Sequence, residues 1–162
     1  MTKEIERGYY GSPIGGIEIS VFDDAIVSIC FQEDDEEFAD TGNGEIFEQC
    51  EEELTEYFEG HRMKFDLLLA PHGTDFEKQV WSELLDIPYG KTCSYIDIAN
   101  RMNNPKAIRA VGRANGANPI AIVIPCHRVV GADGSLTGYS GELWRKRWLL
   151  DHEARTAGVI LL

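Results

Sequence analysis

The feature that most constrains the fold is a change of pattern near "APHG", residues 70–73. Before it, short β-type runs such as "IEISVF" and "DDAIVSICF" alternate with turn residues, which predicts a meander of strands. After it, apolar residues recur at helical spacing, and a chain of 162 residues is long enough to bury a core. We therefore predict an α/β (α+β) protein with a strand-rich domain over residues 1–72 and an α-rich domain over residues 73–162.

The charge of the chain changes in the same region. Residues 1–89 contain 5 Lys and Arg against 23 Asp and Glu, whereas residues 90–162 contain 10 against 5. Residues 101–128 include five basic side chains and no acid, which predicts a local basic surface that can bind phosphate. The acidic part is interpreted either as a solvated surface or as an adaptation to high salt, and the sequence does not separate these two.

Capping patterns place the helices. An amphipathic helix is predicted over residues 44–58, and "FDLLLAP" after it is predicted to form a buried strand. Thr74 with Glu77 has the spacing of a capping box, and so does Ser94 with Asp97. Each pair therefore predicts the first turn of a helix.

A second short helix is predicted to follow the one that begins at Ser94. Asn104 is expected as its cap and Pro105 as its first residue, with an end near Gly116. Two short helices joined by a tight turn are a candidate helix-turn-helix. Its second helix has small residues between Arg109 and Arg113, and these favour either close packing on a neighbouring helix or insertion into a DNA groove. Both interpretations remain open.

The stretch "IPCHRVV" sets Cys126 beside His127. The preceding "NPIAIVI" is predicted to be a buried strand, and Pro125 ends it, so the thiol should lie where a strand runs into a cleft. A free thiol has a pKa near about 8.5, so a nucleophilic cysteine needs a base or a positive charge. Adjacent residues of an extended segment point to opposite faces, which favours a bridging water over direct contact between Cys126 and His127.

A histidine that acts as a base needs an acid to fix its tautomer. The acids of the later segment are few, and their spacing does not choose among them: Asp133, Glu142, Asp151 and Glu153. A metal site is the competing interpretation of Cys with His, but no partner lies at ligand spacing. The four cysteines form no CxxC pair, and no apolar run approaches the about 20 residues of a membrane helix. We expect a cytoplasmic protein that does not enter a membrane.

Four ordered stretches resemble a known family. They are "GTDFEKQVWSELLDIPYGKTCSY", "PKAIRAVGRANGANPI", "IPCHRVVG" and "LTGYSGELWRKRWLLDHE". Together they closely resemble the O6-alkylguanine-DNA alkyltransferases, which repair alkylated guanine by a single transfer to a cysteine. The similarity is dense over residues 73–153 and looser through the strand meander. It implies a ribonuclease H-like N-terminal domain and a C-terminal domain with a winged-helix-like helix-turn-helix.

The resemblance also implies roles for individual residues. Cys126 resembles the alkyl acceptor, His127 the base that reaches it through water, and Glu153 the acid that orients the base. Asn118 resembles the hinge asparagine. The residues expected to contact the substrate guanine are Tyr95, Val129, Tyr139, Ser140 and Lys146. The residues expected to contact DNA are Arg109, which resembles the finger that replaces the flipped nucleotide, with Ala110, Gly112, Arg113 and Arg128.

One position departs from the family pattern. The family reads GYxGG before its last helix, whereas "GYSGEL" places Glu142 at the second glycine. If that position needs a positive φ or lies near the substrate, glutamate alters the loop or repels phosphate. We expect this to change which larger adducts fit and to leave methyl transfer intact.

The resemblance implies duplex DNA containing O6-alkylguanine as the partner, a monomer, and no required cofactor or metal. Two other classes of protein remain as alternatives: a lesion-binding relative without chemistry, which replaces the cysteine, and a helix-turn-helix regulator, which requires dimerisation. A cysteine hydrolase is a third alternative, and it differs by turning over repeatedly.

Overall fold

The computed structural model of the protein describes residues 3–32, 44–139 and 141–158. The chain forms two compact units. The first contains the residues up to His72 together with 119–121, and the second contains 73–118 and the residues from Ile122 onward. The short return of 119–121 to the first unit is not evident in the sequence pattern.

The first unit is built on a three-stranded antiparallel sheet in the order β1-β2-β3. Its strands are β1 (Glu6–Ser12), β2 (Gly15–Phe22) and β3 (Ala25–Phe31), as the meander predicted. Alternate β2 residues Ile17, Ile19 and Val21 are buried, which is the pattern of a strand with one face on a core. Asp23 and Asp24 connect β2 to β3 with φ of 52° and 62°, and aspartate tolerates this left-handed region in a two-residue hairpin turn.

The free edge of β3 is covered by two short parallel bridges. Ile26 pairs with Leu69, and Ile29 pairs with Ile120. The amide of Ile29 donates to Pro119 O at 2.9 Å, and the amide of Ala121 donates to Ile29 O at 2.9 Å. The predicted strand in "FDLLLAP" is therefore wrong in extent, because only Leu69 bridges to the sheet and Leu68 is 64% exposed.

Helix α1 (Glu45–Phe58) packs its apolar stripe on this sheet. Phe47, Cys50, Leu54 and Tyr57 are buried at helical spacing, as an amphipathic helix requires. Burial, with nearby glutamates, raises the pKa of Cys50 to about 12, so this thiol has no nucleophilic form at neutral pH.

The second unit is mostly helical. Its elements are α2 (Asp75–Leu85), β4 (Cys93–Ser94), α3 (Tyr95–Arg101), α4 (Ile108–Gly116), a 3₁₀ helix (Cys126–Arg128), β5 (Val129–Val130) and α5 (Leu143–Thr156). Helices α2, α3 and α4 pack together, and the indole of Trp81 on α2 donates to Ala114 O at 2.8 Å. Strands β4 and β5 pair in parallel. This places the segment after the 3₁₀ helix beside the start of α3.

Both predicted capping boxes are present. Thr74 accepts from the amide of Glu77 while Glu77 accepts from the amide of Thr74, and Ser94 and Asp97 do the same for α3. The predicted start of α4 at Pro105 is wrong, since the helix begins at Ile108. The amide of Ala107 donates to Asn104 O at 3.0 Å, so Pro105 occupies the second position of a turn, which its fixed φ favours.

Thr74→Ala tests the cap of α2. The substitution removes the acceptor for the amide of Glu77, and we expect the free energy of unfolding to fall by about 1 kcal/mol. Urea denaturation followed by tryptophan fluorescence measures this loss, and Thr74→Ser, which keeps the hydroxyl, is the matched control. Equal losses in the two variants would contradict a role for the capping oxygen.

Candidate active site

The 3₁₀ helix Cys126–Arg128 carries the three residues around which the candidate site is arranged. Residues 121–124 before it form a turn, so the predicted strand "NPIAIVI" is wrong apart from the single bridge at Ile120. Ile122 has φ of 71°, a region in which a β-branched residue is strained. An extended strand cannot pass through that conformation, and the chain bends towards Cys126 instead.

Two asparagines hold this bend. The side chain of Asn118 donates to Ile124 O at 2.8 Å, and the amide of Cys126 donates to the same oxygen at 2.8 Å. Asn115, which is 1% exposed on α4, donates to Cys126 O at 3.4 Å. Asn118 thus contacts the backbone just before the thiol, and its role as a hinge stays a prediction. Asn115 is a site residue that sequence reasoning missed. Its only signal in the sequence is a polar side chain on the inner face of a helix.

The thiol of Cys126 lies in the interior, and the residue is 4% exposed. Burial raises the pKa of Cys126, while a hydrogen bond with the Asn118 side chain and the charge of Lys146 oppose this shift. The resting side chain is therefore the thiol, and it needs a base before it can act as a nucleophile.

His127 contacts the acid that the resemblance assigns to it. Its Nε2 lies 2.7 Å from Glu153 Oε2, and the two residues are 0% and 1% exposed. Burial tends to raise the pKa of Glu153, but its interactions with His127 and Arg128 outweigh burial and lower it well below the usual range. Glu153 is therefore an ionised carboxylate, which only accepts hydrogen bonds.

The ionised acid fixes the tautomer of the histidine. Because Glu153 only accepts, the proton of a neutral His127 lies on Nε2, and Nδ1 retains its lone pair. Nδ1 is buried and has no hydrogen-bond partner among the described residues. Within the same residues no hydrogen bond joins His127 to Cys126 Sγ, and a buried polar atom of this kind is a place for an ordered water.

Cys126 and His127 lie on a 3₁₀ helix. The prediction that they belong to an extended segment, with side chains on opposite faces, is therefore wrong. Successive residues of a 3₁₀ helix differ in direction by about 120°. The thiol and the imidazole therefore point to different sides of the turn.

Arg128 does not lie where a DNA contact would. Its residue is 6% exposed, and Nε and Nη2 donate to Glu153 at 2.8 Å and 3.2 Å. Nη1 donates to Ile87 O at 2.8 Å. The expectation that Arg128 contacts DNA is contradicted, because the guanidinium is buried against Glu153 and Ile87 O, where a DNA phosphate cannot reach its remaining N–H groups.

The residues expected to contact guanine lie around one loop. Thr137 O accepts from Lys146 Nζ at 2.7 Å and from Tyr95 Oη at 3.1 Å. Tyr139 is 9% exposed, and its hydroxyl has no hydrogen-bond partner among the described residues. Burial and the nearby Cys126 raise the pKa of Tyr139 well above 10, so it stays a hydroxyl donor. These side chains converge on one region of the second unit.

Two other predicted contacts have different outcomes. Val129 is fully buried in β5, where it pairs with Cys93, so its side chain contributes to the core. Ser140 lies outside the described residues, and its expected role stays a prediction.

Helix α4 presents the predicted basic face. Arg109 and Arg113, one helical turn apart, are exposed, and Ala110 and Gly112 are half-buried between them. A Cβ added at Gly112 would lie 3.9 Å from the ring of Tyr95, an ordinary contact. Packing on Tyr95 thus does not by itself require a glycine there.

No group of three or more His, Cys, Asp or Glu side chains that could hold a metal ion occurs within the ranges 3–32, 44–139 and 141–158. In the same part of the chain no helix is long and apolar enough to cross a membrane.

Comparison with known families decides the class of protein. The profile described as "6-O-methylguanine DNA methyltransferase, DNA binding domain" matches residues 75–155, and the profile described as the ribonuclease-like domain of the same family matches residues 5–71. The chain belongs to this family. The family, the fold class and the enzyme class predicted from the sequence are confirmed.

Relatives in the family are similar over most of the chain. The methylated-DNA–protein-cysteine methyltransferase of Methanosarcina acetivorans is 53% identical over 111 residues, which are 68% of this chain and 71% of that protein. The protein of the same name from Mycolicibacterium paratuberculosis is 45% identical over 93% of each chain. A crystal structure of Mycobacterium tuberculosis OGT in complex with DNA has a TM-score of 0.85 at 43% identity, over 93% of each chain. Regulatory and purely lesion-binding functions are not favoured by these relatives.

Lys146 provides a test of the electrostatics of the site. It is 0% exposed, and burial lowers its pKa from 10.5 to about 8, although Cys126 opposes the shift. Between about pH 8 and about pH 10.5 the unfolded state therefore binds the extra proton, and stability rises with pH. From about pH 8 to about pH 9.5, we expect the free energy of unfolding of wild type to rise by about 1–2 kcal/mol more than that of Lys146→Met.

Urea denaturation at the two pH values measures this difference. Lys106→Met is the matched control, because Lys106 is an exposed lysine of the same unit. A parallel response of wild type and Lys146→Met would show that Lys146 titrates as an ordinary surface lysine.

Proposed function

We propose that this protein repairs DNA by direct reversal and transfers an alkyl group from guanine O6 to Cys126 in a single turnover. The observation that carries the proposal is the buried arrangement of Cys126, His127 and Glu153 in the unit that presents the basic face of α4. A thiol, a base with a free lone pair and an acid that fixes the tautomer are the parts required for nucleophilic attack.

The proposed transfer begins with removal of the thiol proton. His127 Nδ1 accepts this proton through a water, and the imidazolium that forms is stabilised by Glu153 at 2.7 Å. The sulfur then attacks the alkyl carbon, an S–C bond forms, and the C–O6 bond breaks with its electron pair passing to guanine. Lys146, whose charge opposes the rise in the pKa of Cys126, stabilises the thiolate while it exists.

The leaving guanine needs hydrogen bonds or a proton to neutralise its developing charge. Tyr139 keeps its proton and its buried hydroxyl has no partner among the described residues, so we assign it as a donor to O6. Tyr95 shares the loop carbonyl of Thr137 with Lys146 and supplies a second hydroxyl. Ser140 is assigned as a further donor to O6.

Access to the alkyl carbon requires base flipping, because guanine O6 is covered inside a duplex. The exposed side chain of Arg109 lies beside the small residues Ala110 and Gly112. We propose that it fills the gap that the flipped nucleotide leaves in the base stack. Arg113, on the same face, is assigned to a phosphate. We propose duplex DNA with O6-alkylguanine as the substrate, and a protein that acts as a cytoplasmic monomer.

The thioether product explains the single turnover. A thioether is not an ester, so water activated by a base does not open its S–C bond as it opens a thioester. A hydrolase would form a thioester that water can open.

Mass spectrometry after reaction with a duplex that contains one O6-methylguanine tests the proposal. We expect one methyl group per protein molecule on the Cys126 peptide, at low and at high salt, and no methyl group in Cys126→Ser. Cys93→Ser is the matched control and should react as wild type does, because Cys93 belongs to the same unit and no step uses it. Lesion-dependent binding without a mass gain would leave a recognition protein with no chemistry.

Glu142 is proposed to select among adducts. It has φ of 74°, a conformation that favours glycine, and its Oε2 accepts from the Trp144 indole at 2.8 Å. Arg145 and Lys146 donate their amides to Glu142 O, so this residue starts the helix that carries Lys146. We expect Glu142→Gly to change the ratio of benzyl to methyl transfer rates and to leave methyl transfer within about threefold of wild type.

Glu142→Ala separates the two causes, because alanine removes the carboxylate and keeps the positive φ. If the effect comes from charge, the two variants behave alike; if it comes from the backbone, only glycine changes the ratio. An unchanged ratio in Glu142→Gly, measured by single-turnover kinetics, would remove the assignment.

A further inference from the structure

The buried guanidinium of Arg128 contacts the same carboxylate as His127. Arg128 Nε donates to Glu153 Oε1 at 2.8 Å and Nη2 donates to Oε2 at 3.2 Å. His127 Nε2 lies 2.7 Å from that same Oε2. One carboxylate oxygen is thus shared between the base of the proposed reaction and a side chain with a permanent positive charge.

Arg128 is itself held from a third direction. Nη1 donates to Ile87 O at 2.8 Å, and the guanidinium lies over the ring of Tyr89 at 5.5 Å from its centroid. The charge therefore has a fixed position, and it can hold the plane of the carboxylate that orients the histidine ring.

The charge state of His127 beside Glu153 depends on Arg128. A buried carboxylate needs a counter-charge, and without Arg128 the nearest source would be a proton on His127. The resting site would then hold an imidazolium, which cannot accept the proton of the thiol. With Arg128 present, Arg128 and Glu153 carry no net charge together, so protonation of His127 in the resting site would add a buried charge that no anion compensates; during transfer the thiolate of Cys126 compensates it.

We propose that Arg128 is a positioning residue for the reaction proposed above: by supplying the counter-charge of Glu153, it keeps His127 neutral and leaves Nδ1 free to accept the proton of Cys126. The inference rests on the proposed function for its catalytic part. Its electrostatic part concerns the resting protein and can be tested without DNA.

A merely structural role for Arg128 makes a different prediction. If the arginine only ties the 3₁₀ helix to α5, its loss lowers stability and slows transfer by the same factor at every pH. If it sets the charge of His127, its loss shifts the pH profile. The other charged and titratable groups that interact with Cys126, Glu153 and Arg128 or with one another remain in every variant used: Cys126, Lys146, Tyr139, Arg145 and Tyr89.

The first measurement is the single-turnover methyl transfer rate against pH for wild type, Arg128→Met and Arg128→Lys. His127 Nε2 and Arg128 Nη2 contact the same oxygen of Glu153. A charge this close to a titratable group changes its pKa by about 1–3 units, so we expect the acid-side midpoint of the profile to rise by about one pH unit or more in Arg128→Met. The rate should fall about tenfold below the midpoint and much less above it. Arg128→Lys keeps the charge and should stay close to the wild-type midpoint.

The double variant Arg128→Met with Glu153→Gln is the matched control. It removes both charges while the glutamine oxygen still accepts from Nε2, so we expect the midpoint to return towards wild type. A uniform loss of rate at all pH values in Arg128→Met, with no return in the double variant, would overturn the inference.

The second measurement is the state of the His127 ring nitrogens, observed by nitrogen NMR of the free protein near about pH 7. The protein has four histidines, so the His127 signals are assigned by comparison with His127→Gln. We expect the neutral ring with its proton on Nε2 in wild type, and more imidazolium in Arg128→Met. An imidazolium in wild type would overturn the inference even if no Arg128 variant folds.

This experiment also separates the two proposals. A neutral His127 that becomes charged in Arg128→Met, in a protein that accepts no alkyl group, would end the proposed function and leave the electrostatic role of Arg128 standing. Alkyl transfer with a pH profile that Arg128 does not move would end only this inference.

Discussion

The arrangement of the second unit depends on the hydrogen bonds of the buried Glu153 carboxylate with His127 and Arg128. An ionised carboxylate in the interior is costly unless donors surround it, and here two successive residues of one 3₁₀ helix provide them. Because Glu153 belongs to α5, this requirement fixes the last helix against the turn that carries the thiol. The carboxylate thus serves packing and chemistry at once, and neither His127 nor Arg128 can change its partner independently of the other.

A second constraint acts on the chain just before the thiol. Ile122 accepts a strained backbone, Asn118 holds the carbonyl of Ile124, and Asn115 holds the carbonyl of Cys126. Such strain persists only where the surrounding hydrogen bonds determine the conformation. The thiol is therefore positioned by backbone contacts, while its proton affinity is set by burial, Asn118 and Lys146. Asn118 thus contributes both to the position of the thiol and to its proton affinity.

The sequence predicted the features that depend on short-range chemistry. The two capping boxes, the strand meander and the amphipathic character of α1 all follow from neighbouring side chains and were readable in advance. The start of α4 was misplaced because Pro105 fits the first turn of a helix and the second position of a β-turn equally well. The family was readable because its motifs are long and ordered.

The wrong predictions for Arg128 and for the strand before Cys126 have the same cause. Arg128 was assigned to DNA because an arginine in a basic segment is usually exposed, and only the tertiary position of Glu153 reveals that it is buried. The strand expected before Cys126 failed for a similar reason, since "NPIAIVI" has strand composition while its hydrogen bonds go to Asn118 and to β3. Long-range partners overrode local preference in both cases.

The return of residues 119–121 to the first unit affects how separable the two units are. The backbone passes from one unit to the other at 72/73, at 118/119 and again at 121/122. In a fragment that begins at Gly73, Pro119 and Ala121 would lack their backbone partner Ile29, and in a fragment that ends at His72, Ile29 would lack these two hydrogen bonds. The units are distinct as compact bodies, yet no single cut in the chain yields two complete modules.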